Sequence, residues 1–348
     1  MLEFSPWSKK ANERCLEKYS NGQFSCLDIE LGGDCNYHCA YCDSPDRQKT
    51  CSIQIHELEI FAQTGRFDWV YVCGLGEPTF NGNYDRFISI LKLCKKYGMR
   101  CSTFSNLSKL NDELISFIKC GVLHILFKYD SNSINMAETL YGTRKIKEQL
   151  SNIKKIKDYV RIENGMTNLA ASIVPTRLNK HEISIIVEEC FSAGIFPLLG
   201  ELEPSGKGQT NYENLRLNKG ELLGIKEDID RICGGRYVIP TCPAVISGIH
   251  LSYDSKVAVD EFSGMSCHWF WLKEPHTKTL LHFDSSISVE TVENTIINYR
   301  DNQLMHVKAY YESDDNVGLV FGGCGGNVND IFRQFLDSHR GGGNNGLS

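Results

Sequence analysis

Apolar positions in the first two-thirds of the chain fall into short strand-like runs separated by longer segments of helical period. Leu27, Ile29 and Leu31 alternate with Asp28 and Glu30, the period-two pattern of a strand. Trp69–Cys73, Arg100–Ser105, Val122–Lys128, Leu169–Val174 and Phe196–Leu199 read as five further strands. Helical stretches lie between them. One runs from Ile53 to Ala62, and the next sets Phe87, Ile88, Leu91 and Cys94 on one face. A third, with Leu114, Ile115 and Ile118, is capped by Asn111 and stops near Gly121. Lysines of segment 145–157 alternate with Ile146, Leu150, Ile153 and Ile156, which makes them the wet face of an amphipathic helix. A last stretch holds Ile183, Ile186 and Cys190 and ends at Gly194.

Six strand–helix alternations at roughly 30-residue spacing predict an α/β fold with a parallel sheet and right-handed crossovers. In such sheets the functional site lies at the C-terminal ends of the strands. The unusual loops all fall there: Cys35–Cys42, Gly74–Thr79, Asn106, Lys128–Ser131 and Glu201–Gly208. Residues 1–23 are polar and weakly patterned and read as an N-terminal extension. After about Gln209 the rhythm breaks. Leu222–Cys233 reads as a helix, Ile249–Val259 as a β-hairpin turning at Asp254-Ser255, and residues 288–303 as another helix. The tail from 339 to 348 is too glycine-rich to order unaided.

Composition narrows the class. The 348 residues are 41% hydrophobic and 23% charged, ordinary for a soluble globular protein. A formal net charge of −6 without a basic block argues against a nucleic-acid partner. No apolar run reaches the ~18 residues of a membrane helix, and no signal peptide is readable. Fifteen cysteines in that setting point to thiolate–metal chemistry in a reducing cytoplasm rather than to disulfides.

Chemistry concentrates in Leu31–Asp43, where Cys35, Cys39 and Cys42 form a C-x₃-C-x₂-C run. Three thiolates so close can reach one soft metal centre, and a missing fourth leaves a position open for reaction. A zinc knuckle completed by His38 or a distant residue is the structural alternative.

This run, with the aromatic Tyr41 before its third cysteine, resembles the radical SAM superfamily, and the resemblance covers roughly residues 24–210. It implies a partial (β/α)6 TIM-type barrel with a small α+β C-terminal extension. It also implies a [4Fe–4S] cluster on Cys35, Cys39 and Cys42 whose open iron chelates S-adenosylmethionine. The loop Gly74-Leu-Gly-Glu-Pro78 is similar to the family's glycine-rich loop; it implies that Gly74, Gly76, Glu77 and Pro78 meet the methionyl amino group, with Leu75 separating glycines that are commonly adjacent. Ser105 and Asn106 then fall at the SAM ribose and carboxylate, and Lys128 and Asp130 at the substrate or the SAM carboxylate. An electron donor such as flavodoxin or ferredoxin is implied as partner.

Residues 211–338 resemble the twitch form of the family's C-terminal extensions. That implies an auxiliary [4Fe–4S] cluster on Cys242, Cys267 and Cys324, with Cys233 as the fourth candidate; an unrelated set of buried cysteines or a zinc site is the alternative. His268-Trp-Phe-Trp271 reads as core. Cys15, Cys26, Cys51, Cys73, Cys94, Cys101, Cys120 and Cys190 read as small hydrophobes. The reaction implied is hydrogen abstraction by a 5′-deoxyadenosyl radical from a small-molecule or peptide substrate, with net oxidation or oxidative bond formation. Redox-neutral peptide epimerisation with Cys233 as hydrogen donor, another peptide maturation, and a non-enzymatic zinc or iron–sulfur scaffold are the alternatives. A GTP cyclase is disfavoured by the Gly/Asn tail.

Overall fold

The structure is a computed structural model and describes residues 2–44, 49–235, 237–261, 265–267, 276–301, 321 and 330–338. Cys324, its glycine loop 322–326, the aromatic run 268–271 and the tail 339–348 lie outside the described residues. The main sheet is built from β2 (Cys26–Ile29), β3 (Trp69–Val72), β4 (Arg100–Ser105), β5 (Leu123–Lys128), β8 (Leu169–Ile173), β9 (Phe196–Leu199) and β10 (Gly248–Leu251). Its order is β10-β2-β3-β4-β5-β8-β9, and every neighbouring pair is parallel. The parallel sheet is the one the strand–helix rhythm predicted, and with its helices it is the partial barrel that the resemblance implied, with one strand more. Helices α2 (Ile55–Gln63), α3 (Asn81–Tyr97), α4 (Asp112–Lys119), α5 (Ile134–Tyr141), α6 (Ile146–Ile156) and α7 (Ile183–Ser192) fill the connections.

The strands form because their side chains are apolar enough to be covered on both faces. All four residues of β2, β3 and β9 are buried. That includes Asp28, so the alternation around it does not mark a wet face. Its carboxylate is instead paired inside the barrel, with Oδ2 2.9 Å from His250 Nδ1. Pro197 sits in β9, an edge of the sheet, where a missing N–H costs no ladder bond.

Three expectations change. Residues 1–23 are an integral part of the core rather than an appendage. They contain β1 (Glu3–Phe4) and α1 (Lys9–Ser20), capped by Ser8, and they bury Phe4, Trp7, Cys15 and Tyr19. β1 joins a small sheet of order β1-β7-β6 with β6 (Ile162–Glu163) and β7 (Met166–Thr167). The expected 249–259 hairpin does not form. Ser255 turns the chain with φ 60°, but β10 pairs with β2 in the main sheet. The other arm, β11 (Lys256–Asp260), pairs with β12 (Thr277–His282). β10 is fully buried, and the open edge of β2 offers it more apolar contact than a two-stranded ribbon would. Third, a helix, α8 (Gly206–Leu215), begins inside the stretch 201–208 that was expected as a loop, and it is followed by α9 (Lys219–Ile232), the short α10 (Ala244–Ser247), α11 (Val289–Asp301) and α12 (Asp330–Ser338).

Candidate active site

The cysteine loop leaves the C-terminal end of β2 and is held from three sides. From α5, the carbonyls of Leu140 and Tyr141 accept from Ala40 N at 2.8 Å and His38 N at 2.9 Å. Those carbonyls have no partner within the helix, so the loop completes the helix end as the helix fixes the loop. Gly142 ends α5 at φ 58°, and a Cβ there would lie 2.5 Å from His38 O. From α8, Lys207 N donates to Cys42 O at 2.8 Å, and Gly206 passes so close that a Cβ would meet Cys42 O and Asp43 O at 2.5 Å. From α3, Asn83 Nδ2 donates to Gly32 O (2.9 Å), Asp34 O (3.1 Å) and Glu77 O (3.2 Å), while its Oδ1 accepts from Gly32 N at 2.9 Å. Tyr37, Tyr41, Ala137, Leu140, Tyr141, Ile146 and Leu215 make a small apolar cluster beneath the loop, with Cys35 and Cys39 packed on it.

The glycine loop abuts this frame. Glu77 N donates to Asp34 O at 2.8 Å. Gly76 takes φ 61°, and its Cβ would lie 2.2 Å from Gly32 O. No side chain fits between the two loops, so the glycine is required for their contact.

A cavity of about 270 Å³ opens at the strand ends. Cys35, Cys39, Tyr41, Cys42, Gly74, Gly76, Glu77, Pro78, Ser105, Asn106 and Lys128 all line it, from segments up to 93 residues apart in the chain (128 − 35). Asp43, Glu201 and Glu203 add carboxylates to the wall. Asp130 is not part of the lining. It is fully buried behind Tyr41, whose hydroxyl donates to it, and it also accepts from Val174 N at 2.6 Å. Cys233 caps α9 beside Tyr237, also away from the cavity lining.

Glu77, which lines the cavity, is also held by donors of the protein itself. Its Oε1 accepts from Thr79 Oγ1 (2.7 Å), Ser105 Oγ (2.7 Å) and Thr79 N (3.1 Å), and its Oε2 from Asn106 N (2.7 Å). Three of these donors share Oε1 and one takes Oε2, so an acceptor position remains on Oε2 while the bonds tie the β3 loop to the end of β4. Burial pushes the Glu77 carboxyl up, against the pull of those bonds. Asn106 Nδ2 reaches Asn36 Oδ1 at 2.7 Å and so links β4 to the cysteine loop as well.

Lys128 Nζ stands 4.7 Å over the Tyr41 ring. Burial works against its charge, but Asp130 first, then Cys39, Asp43 and Cys42, outweigh it and hold the ammonium above its ordinary value. It is the cation facing the thiols. Burial pushes the Cys39 thiol up to about 12; Lys128 pulls it down, and Cys42 and Cys35 raise it further. Among the described residues no three His, Cys, Asp or Glu side chains stand gathered as a ready-made ion cage. Without a metal the three thiols have no reason to crowd, and a soft metal would gather them. The donor set, its loop geometry and the adjoining cavity fit such a centre on Cys35, Cys39 and Cys42.

Asn83 and the α5 helix were not foreseen as parts of the site. A polar residue in the first turn of a helix reads locally as a solvated position, and only the fold shows it between two loops.

No protein-family model matches the chain, and no curated protein matches its sequence. Solved structures do match its fold. Native anSMEcpe with bound AdoMet and Kp18Cys peptide has a TM-score of 0.57 at 13% identity, over 90% of this chain and 96% of that one. Streptococcus suis SuiB bound to precursor peptide SuiA has 0.56 at 13%, over 80% and 67%. SuiB bound to S-adenosylmethionine has 0.54 at 14%, over 77% and 71%. The chain has the fold of these AdoMet-binding proteins. Among its described residues no helix is long and apolar enough to cross a membrane.

Proposed function

We propose that this chain is a radical SAM enzyme acting on a peptide. The observation that carries the reading is the single cavity lined by Cys35, Cys39, Cys42, the Gly74–Pro78 loop, Ser105, Asn106 and Lys128 at the C-terminal ends of parallel strands. Cys35, Cys39 and Cys42 would hold a [4Fe–4S] cluster, which would supply the one-electron reductive chemistry that turns S-adenosylmethionine into a hydrogen-abstracting agent. The chain's own residues do the rest. Gly76 lets the loop backbone approach closely, and Glu77 fixes that loop against Ser105 and Asn106. Lys128 offers a cation at the thiol side, suited to a ligand carboxylate. Buried Tyr37, Tyr41 and Leu75 exclude water from the cavity wall.

Peptides bound to SuiB and anSMEcpe support a peptide substrate over a small molecule. Within the proposal, the reaction is a net oxidation or oxidative bond formation, with an auxiliary iron–sulfur centre on the C-terminal cysteines to take the second electron and a flavodoxin or ferredoxin as reductant. Residues 24–210 form its barrel portion and 211–338 the twitch-like extension, with β10 returning to complete the sheet.

Anaerobic reconstitution with iron and sulfide, followed by reduction in the presence of S-adenosylmethionine, tests the reading. 5′-Deoxyadenosine is expected from the wild type and none from Cys39→Ala. Wild type that makes none, together with unchanged iron in Cys39→Ala, refutes it. A two-hydrogen mass loss in product formed in deuterium oxide marks oxidation; deuterium at the reacting carbon marks epimerisation instead.

A further inference from the structure

Inside the barrel, beneath the 270 Å³ cavity, lies a second and much smaller one of about 10 Å³. Three thiols line it: Cys73 at the end of β3, Cys242 before α10 and Cys267 after β11. Asp28 lines it too. Cys73, Trp7 and Phe104 line both cavities, so the partition between them is one side chain thick. Cys73 Sγ donates to Asp28 Oδ1 at 2.9 Å, and Asp28 Oδ2 is 2.9 Å from His250 Nδ1. Asp28 and His250 are both 0% exposed. His250 N in turn donates to Ser266 Oγ at 3.2 Å, which brings the residue before Cys267 against the barrel.

We infer that Cys73, rather than Cys233, is the barrel-side ligand of a thiolate metal centre completed by Cys242 and Cys267. This rests on the auxiliary centre within the proposed function and changes its ligand set. Three thiols from three separate segments line one buried cavity; they are not gathered as a ready-made cage, and a soft metal would draw them together as it would the first three. Asp28, itself held by His250, accepts from the Cys73 thiol and fixes where that side chain stands. Burying a carboxylate and an imidazole together is costly, and apolar packing of this sheet does not require it. Cys233 is buried at the end of α9 and lines neither cavity.

The test uses the full chain without its first centre, as the triple variant Cys35→Ala, Cys39→Ala and Cys42→Ala. It is reconstituted anaerobically with ferrous iron and sulfide, or with zinc alone, and chain-bound metal is measured. The triple variant is expected to retain metal. Adding Cys73→Ser is expected to remove it, whereas adding Cys233→Ser leaves it in place. A triple variant that binds no metal overturns the inference, as does one that loses metal with Cys233→Ser and keeps it with Cys73→Ser.

Alkylation gives a readout free of any folding defect. In metal-loaded wild type, mass spectrometry should show Cys73 protected from iodoacetamide until the metal is chelated away. Cys73 modified equally with and without metal overturns the assignment. The two readings fail separately. Wild type that makes 5′-deoxyadenosine with an unprotected Cys73 loses only this ligand; protection of Cys73 without 5′-deoxyadenosine loses only the proposed reaction.

Discussion

Removing the Glu77 carboxylate tests whether it is a structural tie or a waiting ligand for substrate or cofactor. Four donors converge on it: two hydroxyls, from Thr79 and Ser105, and two backbone N–H groups, from Thr79 and Asn106. The hydroxyls can rotate to accept instead of donate; the N–H groups cannot. In Glu77→Gln the amide NH₂ must therefore face either Asn106 N–H or Thr79 N–H, and one buried backbone donor is stranded. That costs about 1–3 kcal/mol. Burial already disfavours the charged form of Glu77, so loss of the charge returns part of this, and the net destabilisation should be about 1–2 kcal/mol. Glu77→Ala strands both N–H groups and leaves a void, for about 3–5 kcal/mol. Urea unfolding of the metal-free protein measures both. A carboxylate kept only to meet a ligand would be a buried liability in the free protein, and either substitution would then stabilise it. Midpoints for the Gln and Ala variants at or above wild type would refute the tie.

Gly76→Ala places a Cβ 2.2 Å from Gly32 O at φ 61°; strain alone costs about 1–2 kcal/mol, and the cysteine loop must shift. Iron uptake after reconstitution should fall by about tenfold or more with the circular dichroism spectrum unchanged, and full uptake would contradict the loop contact. Tyr41→Phe removes the hydroxyl that bonds buried Asp130; a loss of about 1–3 kcal/mol in unfolding free energy is expected, with iron content retained. His124 is held at about 3, chiefly by burial and then by the Arg100 charge, against an ordinary 6.5. Its depressed value means that the unfolded chain binds the proton first, so its contribution is full above about pH 6.5 and is lost on acidification towards pH 3, at about 1.4 kcal/mol per pH unit. Unfolding of His124→Phe at pH 7.5 and pH 4.5 should show about 2–3 kcal/mol less acid sensitivity than wild type; equal sensitivity would refute the buried neutral imidazole.

Much of this molecule is legible in its local patterns. Arg100–Ser105 and Phe196–Leu199 come out as strands to the residue, and Asn111 caps α4 through Leu114 N as its position predicts. The C-x₃-C-x₂-C run declares soft-metal chemistry because spacing in the chain limits spacing in space. The glycine–glutamate loop could be located for the same reason. These features depend on residues a few positions apart, where periodicity and turn chemistry act directly.

What sequence pattern left undecided are relations between distant segments. β10 could have paired with β11 or with β2; both arrangements satisfy its apolar period, and only the open edge of the sheet selects the second. Cys73 ends a buried strand and reads as one more small hydrophobe, until the barrel closes and sets it beside Asp28, Cys242 and Cys267. Nothing near Glu77 in the chain announces that Ser105 and Asn106, 28 and 29 residues on, donate to its carboxylate. Periodicity records that a side chain is inward, and burial favours that whatever the neighbour. Which groups share the interior is set by the register of parallel strands, and that register is settled only when the whole sheet is formed.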